Sequence, residues 1–159
     1  MDINVWKHLF LTGEFAPRAH ILGGLTLAQV GTRPPGAPHS IYEELWHAAE
    51  WQRIVLDRDE AAYERWEQGE QFPPNPAPED EATWQALVDA FLTYSERAVG
   101  LAQNEAWLEA EETADNPGFT WRNALECLAV HNAYHLGKIV LLRQLLGTWS
   151  PPPEDAQTQ

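Results

Sequence analysis

The chain reads as an all-α protein, a four-helix bundle, on three observations. Apolar residues recur at helical spacing in four stretches, no stretch alternates as a sheet strand would, and the Pro- and Gly-rich segments fall between the helical ones. With 159 residues, 44% of them hydrophobic, it is long enough for one core and too short for two ordinary domains. Residues 1–149 are therefore expected to form a single domain and residues 150–159, "SPPPEDAQTQ", a flexible tail.

The first helix is expected over residues 2–25, with Ile3, Trp6, Leu9 and Phe10 on one stripe and Gly13 and Pro17 bending or splitting it. After the turn-rich "GTRPPGAP", a second helix starts near Ser40, whose hydroxyl pairs with Glu43 in a capping box, and runs to about Trp66. "EQGEQFPPNPAPED" is neither helix nor strand, because its prolines remove donors and fix φ. This connection is long enough for a crossover between the second and third helices. The third helix opens on Glu79, Asp80 and Glu81, which suit the positive end of the helix dipole, and carries the stripe Trp84, Leu87, Val88, Phe91, Tyr94, Ser95, Ala98. Thr120 caps a fourth helix that reaches Gly147.

Composition narrows the function. A net charge of -14 repels phosphate backbones, so no nucleic-acid partner is expected. No apolar run approaches a membrane span, and the N-terminus does not read as a signal peptide. Cys127 is the single cysteine, which excludes an internal disulfide framework and fits a reducing, cytoplasmic location.

The chemistry concentrates in "HNAYHLGKIVLLRQLLGTW". At about 100° per residue, His135 lies about 40° from His131 and one turn along, with Ala124, Cys127, Leu128, Lys138, Leu142 and Leu145 on the same face. An i, i+4 histidine pair can present two nitrogens to one metal ion, but it can equally be a pair of hydrogen-bonded core histidines. His8, His20 and His39 stand beside charged, polar or turn residues and read as solvated or capping. His47 differs, because the second helix is apolar on two sides, the other carrying Ile41, Leu45, Ala48, Ala49 and Leu56. Such a helix is buried between bundle neighbours or against a partner subunit, which turns His47 inward.

"HSIYEELWHAAEWQ" and "AVHNAYHLGKIVLLRQLLGTW" together resemble the two signature segments of the DinB superfamily, the DinB/YfiT-like metal-dependent enzymes, over nearly the whole chain. The resemblance implies a bundle in up-down-down-up order, commonly a homodimer. It also implies one divalent metal ion, nickel or zinc most often, on the positions matched by His47, His131 and His135. Lys138 departs from the glutamine usual at its position.

Three imidazoles leave coordination positions open, as catalytic metal sites do. Such an ion can lower the pKa of a water or thiol and polarise a carbonyl. Glu43 and Glu50, one turn either side of His47, are candidates to orient an imidazole or a water, and Tyr134 to place its hydroxyl at the pocket edge. Lys138 should either snorkel to solvent or hold an anion between itself and the metal. Cys127 is a tempting fourth ligand, though a lone buried cysteine is usually a small hydrophobe. Gly137 is expected to allow close helix approach. The relatives' recurring activity implies transfer of a low-molecular-weight thiol (bacillithiol, mycothiol or glutathione) onto a small-molecule electrophile in detoxification or stress response. The alternatives are a metal-dependent hydrolase and a non-catalytic metal- or ligand-binding dimer.

Overall fold

The computed structural model describes residues 3–14 and 16–152 and is all-helical; among them, β-type pairing is confined to an isolated bridge between Glu111 and Thr120. The N-terminal helix is shorter than expected. Helix α1 (Ile3–Lys7) passes into a π-helical turn (His8–Thr12) that ends at Gly13, with φ +66°. A Cβ there would lie 2.7 Å from the Ala16 carbonyl oxygen, so only glycine allows the chain to turn at this point. After Pro17 come α2 (Arg18–Leu22) and, beyond the expected helix end, α3 (Leu27–Gly31), started by a Thr26–Gln29 capping box. Asp2, placed by the sequence in this helix, lies outside the described residues.

Helix α4 (Ile41–Asp57) begins as expected. The Ser40 hydroxyl accepts from the Glu43 N–H (3.2 Å), and the Glu43 carboxylate accepts from the Ser40 N–H (2.8 Å). It ends earlier than expected, at Arg58 in the left-handed region (φ 55°), and the chain restarts as α5 (Glu60–Glu67) under an Asp59 cap. Helix α6 (Glu81–Leu101) is capped by Asp80. A short α7 (Glu105–Leu108) then precedes α8 (Trp121–Leu145), where the Asn123 side-chain oxygen accepts the Thr120 N–H at 3.0 Å.

Helix α4 packs against both α6 and α8, the N-terminal helix against α6, and α2 against α8. One apolar cluster holds Ile21, Ile41, Leu45, Phe91, Leu136 and Ile139; a second holds Trp6, Phe10, Leu56, Leu108, Leu125 and Leu128. Leu45 and Leu56 are therefore covered within the chain. The second apolar side of α4 exists because the helix is sandwiched, and it is not available to a partner subunit. Between the clusters lies a polar layer. Buried Gln52 donates to the Phe91 carbonyl (2.9 Å) and accepts from the Asn132 amide (2.5 Å), tying α4 to α6 and α8 with the amide satisfied.

The end of the chain is anchored as far as it is described. The Ser150 carbonyl accepts from His20 Nε2 at 2.7 Å, and buried Arg143 donates to the carbonyls of His20, Ile21, Gly23 and Thr148. The remainder of the expected tail, residues 153–159, lies outside the described residues. No helix among the described residues is long and apolar enough to cross a membrane.

Candidate metal centre

The packing of α4 on α8 brings His47 opposite His131 and His135. One ring nitrogen from each lies within 4.8 Å of the others. His47 Nε2 and His131 Nε2 are 3.2 Å apart, close to the ~3.3 Å between two nitrogens bound at about 2.05 Å on one tetrahedral ion. His47 donates its Nδ1–H to the Gln71 carbonyl (2.9 Å), and His135 donates its Nδ1–H to the Glu44 carboxylate (2.7 Å). With those protons assigned by acceptors that cannot donate, the neutral form of each ring carries its lone pair on Nε2. No second acceptor assigns the His131 proton, so without an ion its Nε2–H bridges the 3.2 Å to the bare His47 Nε2, and a cation bound there would take that proton's place. His131 Nδ1 is buried and meets no hydrogen-bond partner among the described residues, so no second contact fixes the tautomer of this ring. The donor set fits a borderline divalent ion such as zinc or nickel.

Burial keeps the rings ready for that role. Desolvation lowers His47 to about 4 against the opposing hydrogen bond to Gln71, and desolvation with the neighbouring imidazoles lowers His131 to about 4. Both are neutral at pH 7. Aromatic rings surround the cluster: Trp66 and Phe72 lie 4.5 and 4.7 Å from the His47 ring, and Trp51 lies 6.1 Å from the His131 ring.

Several side chains stand elsewhere than the sequence suggested. Glu43 is occupied by Ser40 and by an ion pair with Arg33, and Glu50 by a bidentate pair with Arg53 (2.7 and 2.9 Å). The carboxylate that meets an imidazole is Glu44, only 1% exposed. Its position three residues before His47 gives it the same helical face. The signal was there in the sequence, since Glu43 was already committed to the capping box. Burial works to raise the Glu44 carboxyl, but hydrogen bonds from His135 and Lys138 outweigh it and hold it at about 2. Lys138 does not snorkel to solvent: its Nζ lies 2.6 Å from Glu44 Oε1, so the anion between lysine and site is the protein's own. Tyr134 is largely exposed, its ring edge-on to His135 at 5.1 Å.

Cys127 is exposed and is not among the clustered ligands. The buried seam of α8 is rotated from the expected face, running through Leu125, Leu128, Asn132, His135 and Ile139, with His131 at its edge. Leu145 is exposed for the same reason. A Cβ on Gly137 would meet nothing within 4 Å, so this glycine permits no close approach inside the chain. His39 is neither solvated nor capping: it stacks on Phe72 at 3.8 Å and reaches Glu44 Oε1 at 3.0 Å. Gln71 and Phe72 come from the Pro-rich crossover, whose composition marks a connection and hides its contribution to the site.

An all-helical chain that converges three imidazoles in an aromatic-walled, carboxylate-backed cluster belongs to the class with a candidate histidine metal centre. A family model described as the DinB superfamily matches residues 18–139, and the chain belongs to that superfamily. Neither the curated proteins nor the solved structures compared gave a match.

Proposed function

We propose that this protein is a divalent-metal-dependent enzyme acting on a small-molecule electrophile, specifically a low-molecular-weight-thiol S-transferase in cytoplasmic detoxification or stress response. The reading takes residues 1–149 as one domain, a four-helix bundle in up-down-down-up order. The observation that carries it is the convergence of His47, His131 and His135 with two Nε2 lone pairs set by second acceptors. A bound ion would supply Lewis acidity, favouring the thiolate form of a thiol at neutral pH. The chain's own residues hold the imidazoles in register and exclude water with Trp51, Trp66 and Phe72. A cleft of about 530 Å³, lined by Trp46, Ile54, Trp66 and Phe72 with Glu50 and Arg65, shares two of its walls with the His47 ring. That volume suits a small apolar substrate. Arg65 is the cation there for a cosubstrate carboxylate, because its pair with Glu70 is long (3.8 Å) and exposed whereas Lys138 is held at 2.6 Å by buried Glu44.

The test is metal analysis of untagged protein followed by assays of thiol and electrophile pairs. One divalent ion per chain and stoichiometric consumption of an added thiol support the reading. Ester or amide turnover without thiol makes the protein a metal-dependent hydrolase. Metal-loaded protein inactive in both makes it a binding protein.

We also propose a homodimer formed through α8. Val130, Tyr134, Leu141 and Leu145, spaced 4, 7 and 4 residues apart, are the exposed large apolar residues of this helix. That spacing keeps them on one stripe, as in a coiled-coil seam. Gly137 sits at its centre with open space where a Cβ would be. A second copy related by a two-fold axis presents the same stripe, so the patch is self-complementary and the glycines allow the helices to approach closely.

A further inference from the structure

Glu44 receives three donors. His135 Nδ1 reaches Oε2 at 2.7 Å, while Lys138 Nζ and His39 Nδ1 reach Oε1 at 2.6 and 3.0 Å. The two oxygens thus have different tasks: Oε1 is held by a cation from α8 and an imidazole from the turn before α4, and Oε2 is left for His135. The arrangement is built from two short spacings, Glu44–His47 on α4 and His135–Lys138 on α8, each three residues apart and facing each other where the helices pack. A carboxylate can only accept when ionised, so it requires a His135 proton on Nδ1, and in the neutral ring that tautomer leaves Nε2 bare.

We propose that Glu44 is the positioning residue of the three-histidine site, selecting the His135 tautomer that can bind a cation, with Lys138 and His39 fixing the carboxylate in the orientation that does so. This inference rests on the metal reading above. The isosteric variant Glu44→Gln separates it from a purely structural ion pair. The Oε1 position faces two donors, so the carboxamide oxygen must go there and its NH2 must face His135 Nδ1. His135 then becomes an acceptor at Nδ1, and its proton moves to Nε2, the atom needed by the metal. Removing the lysine relaxes that demand: in Glu44→Gln with Lys138→Met, the amide can turn its oxygen back to His135.

The experiment uses full-length, ¹⁵N-histidine-labelled protein. It reads the His135 tautomer by long-range ¹H–¹⁵N correlation without metal, and zinc affinity by chelator competition. Wild type should show Nδ1–H. Glu44→Gln should show Nε2–H and bind zinc about 10- to 100-fold more weakly, and the double variant should recover Nδ1–H and part of the affinity. Nε2–H in wild type, or Glu44→Gln with an unchanged tautomer and a zinc Kd within about threefold of wild type, overturns the assignment. Should Glu44→Gln fail to fold, Lys138→Met carries the test. It must retain Nδ1–H because Glu44 is still present, and a switch to Nε2–H overturns the assignment. Wild type that binds no zinc refutes the metal reading itself, whereas the tautomer readout needs no metal and judges Glu44 separately.

Discussion

Replacing His47 by alanine removes one of three imidazoles and tests the site most directly. In the metal-free protein the loss is moderate. One neutral hydrogen bond to the Gln71 carbonyl contributes about 0.5–1.5 kcal/mol, and ring contacts with Trp66 and Phe72 add about 0.5–1.5 kcal/mol each. The 3.2 Å hydrogen bond between the His47 and His131 Nε2 atoms is lost as well, about 0.5–1.5 kcal/mol more. The summed loss is about 2–6 kcal/mol, which a domain of ordinary stability, about 5–15 kcal/mol, survives folded. The larger effect is on linkage. Zinc at about 1,000 times its Kd stabilises a native-only site by about 4.1 kcal/mol, which at this chain length is a rise in Tm of roughly 8–16 °C. Thermal melts with and without zinc should show that rise in wild type and in His8→Ala, whose imidazole is surface-exposed and paired with Glu14. His47→Ala should show almost none of it, with sub-stoichiometric metal by elemental analysis. A zinc-dependent rise in His47→Ala equal to that of wild type would refute the three-histidine site.

Metal-free protein should lose stability as the pH falls from about 6.5 to 4. His47 and His131 are held at about 4 in the fold and return to ordinary values when unfolded, so the unfolded chain binds the extra protons. Below the ordinary glutamate range, Glu44, held at about 2, adds a further loss. Urea titrations at stepped pH check this, and flat stability over that window contradicts the burial argument. Leu141→Glu on the exposed α8 stripe should leave the fold intact and convert a dimer to monomer by light scattering; a wild-type monomer at micromolar concentration contradicts the dimer. Gly31→Ala should cost about 1–3 kcal/mol by overpacking, because the new Cβ would stand 2.4 Å from the Ala77 side chain where the crossover lies against α3. Urea unfolding measures it, and no loss would mean that this contact yields freely.

The helical class, the start of α4 at Ser40, and the candidate roles of His47, His131 and His135 were legible in the sequence, because periodicity, capping and i, i+4 spacing are local properties of the chain. The breaks at Gly13 and Arg58 mark the limit of that kind of reading: periodic apolar residues continue across a break, and Arg58 is an uncommon residue for the left-handed region. The rotation of α8 was not legible. Its apolar residues occupy more than one face, so the burial of Leu125 and Asn132 and the exposure of Cys127 and Tyr134 depend on where α4 lies against it. The same packing distinguishes Glu44 from Glu43 and Glu50. All three are within one turn of His47 along the chain, and which acid meets an imidazole is decided by what each finds across the helix interface: Arg33 and Ser40, Arg53, or His135. The Pro-rich crossover is the extreme case. Nothing in its composition announces a ligand support, yet its fold back over α4 brings the Gln71 carbonyl to His47 and slots Phe72 between two histidines. Local sequence could supply the three imidazoles, while tertiary contacts alone determined which nitrogen of His47 and of His135 is tied to a second acceptor and which faces the cluster.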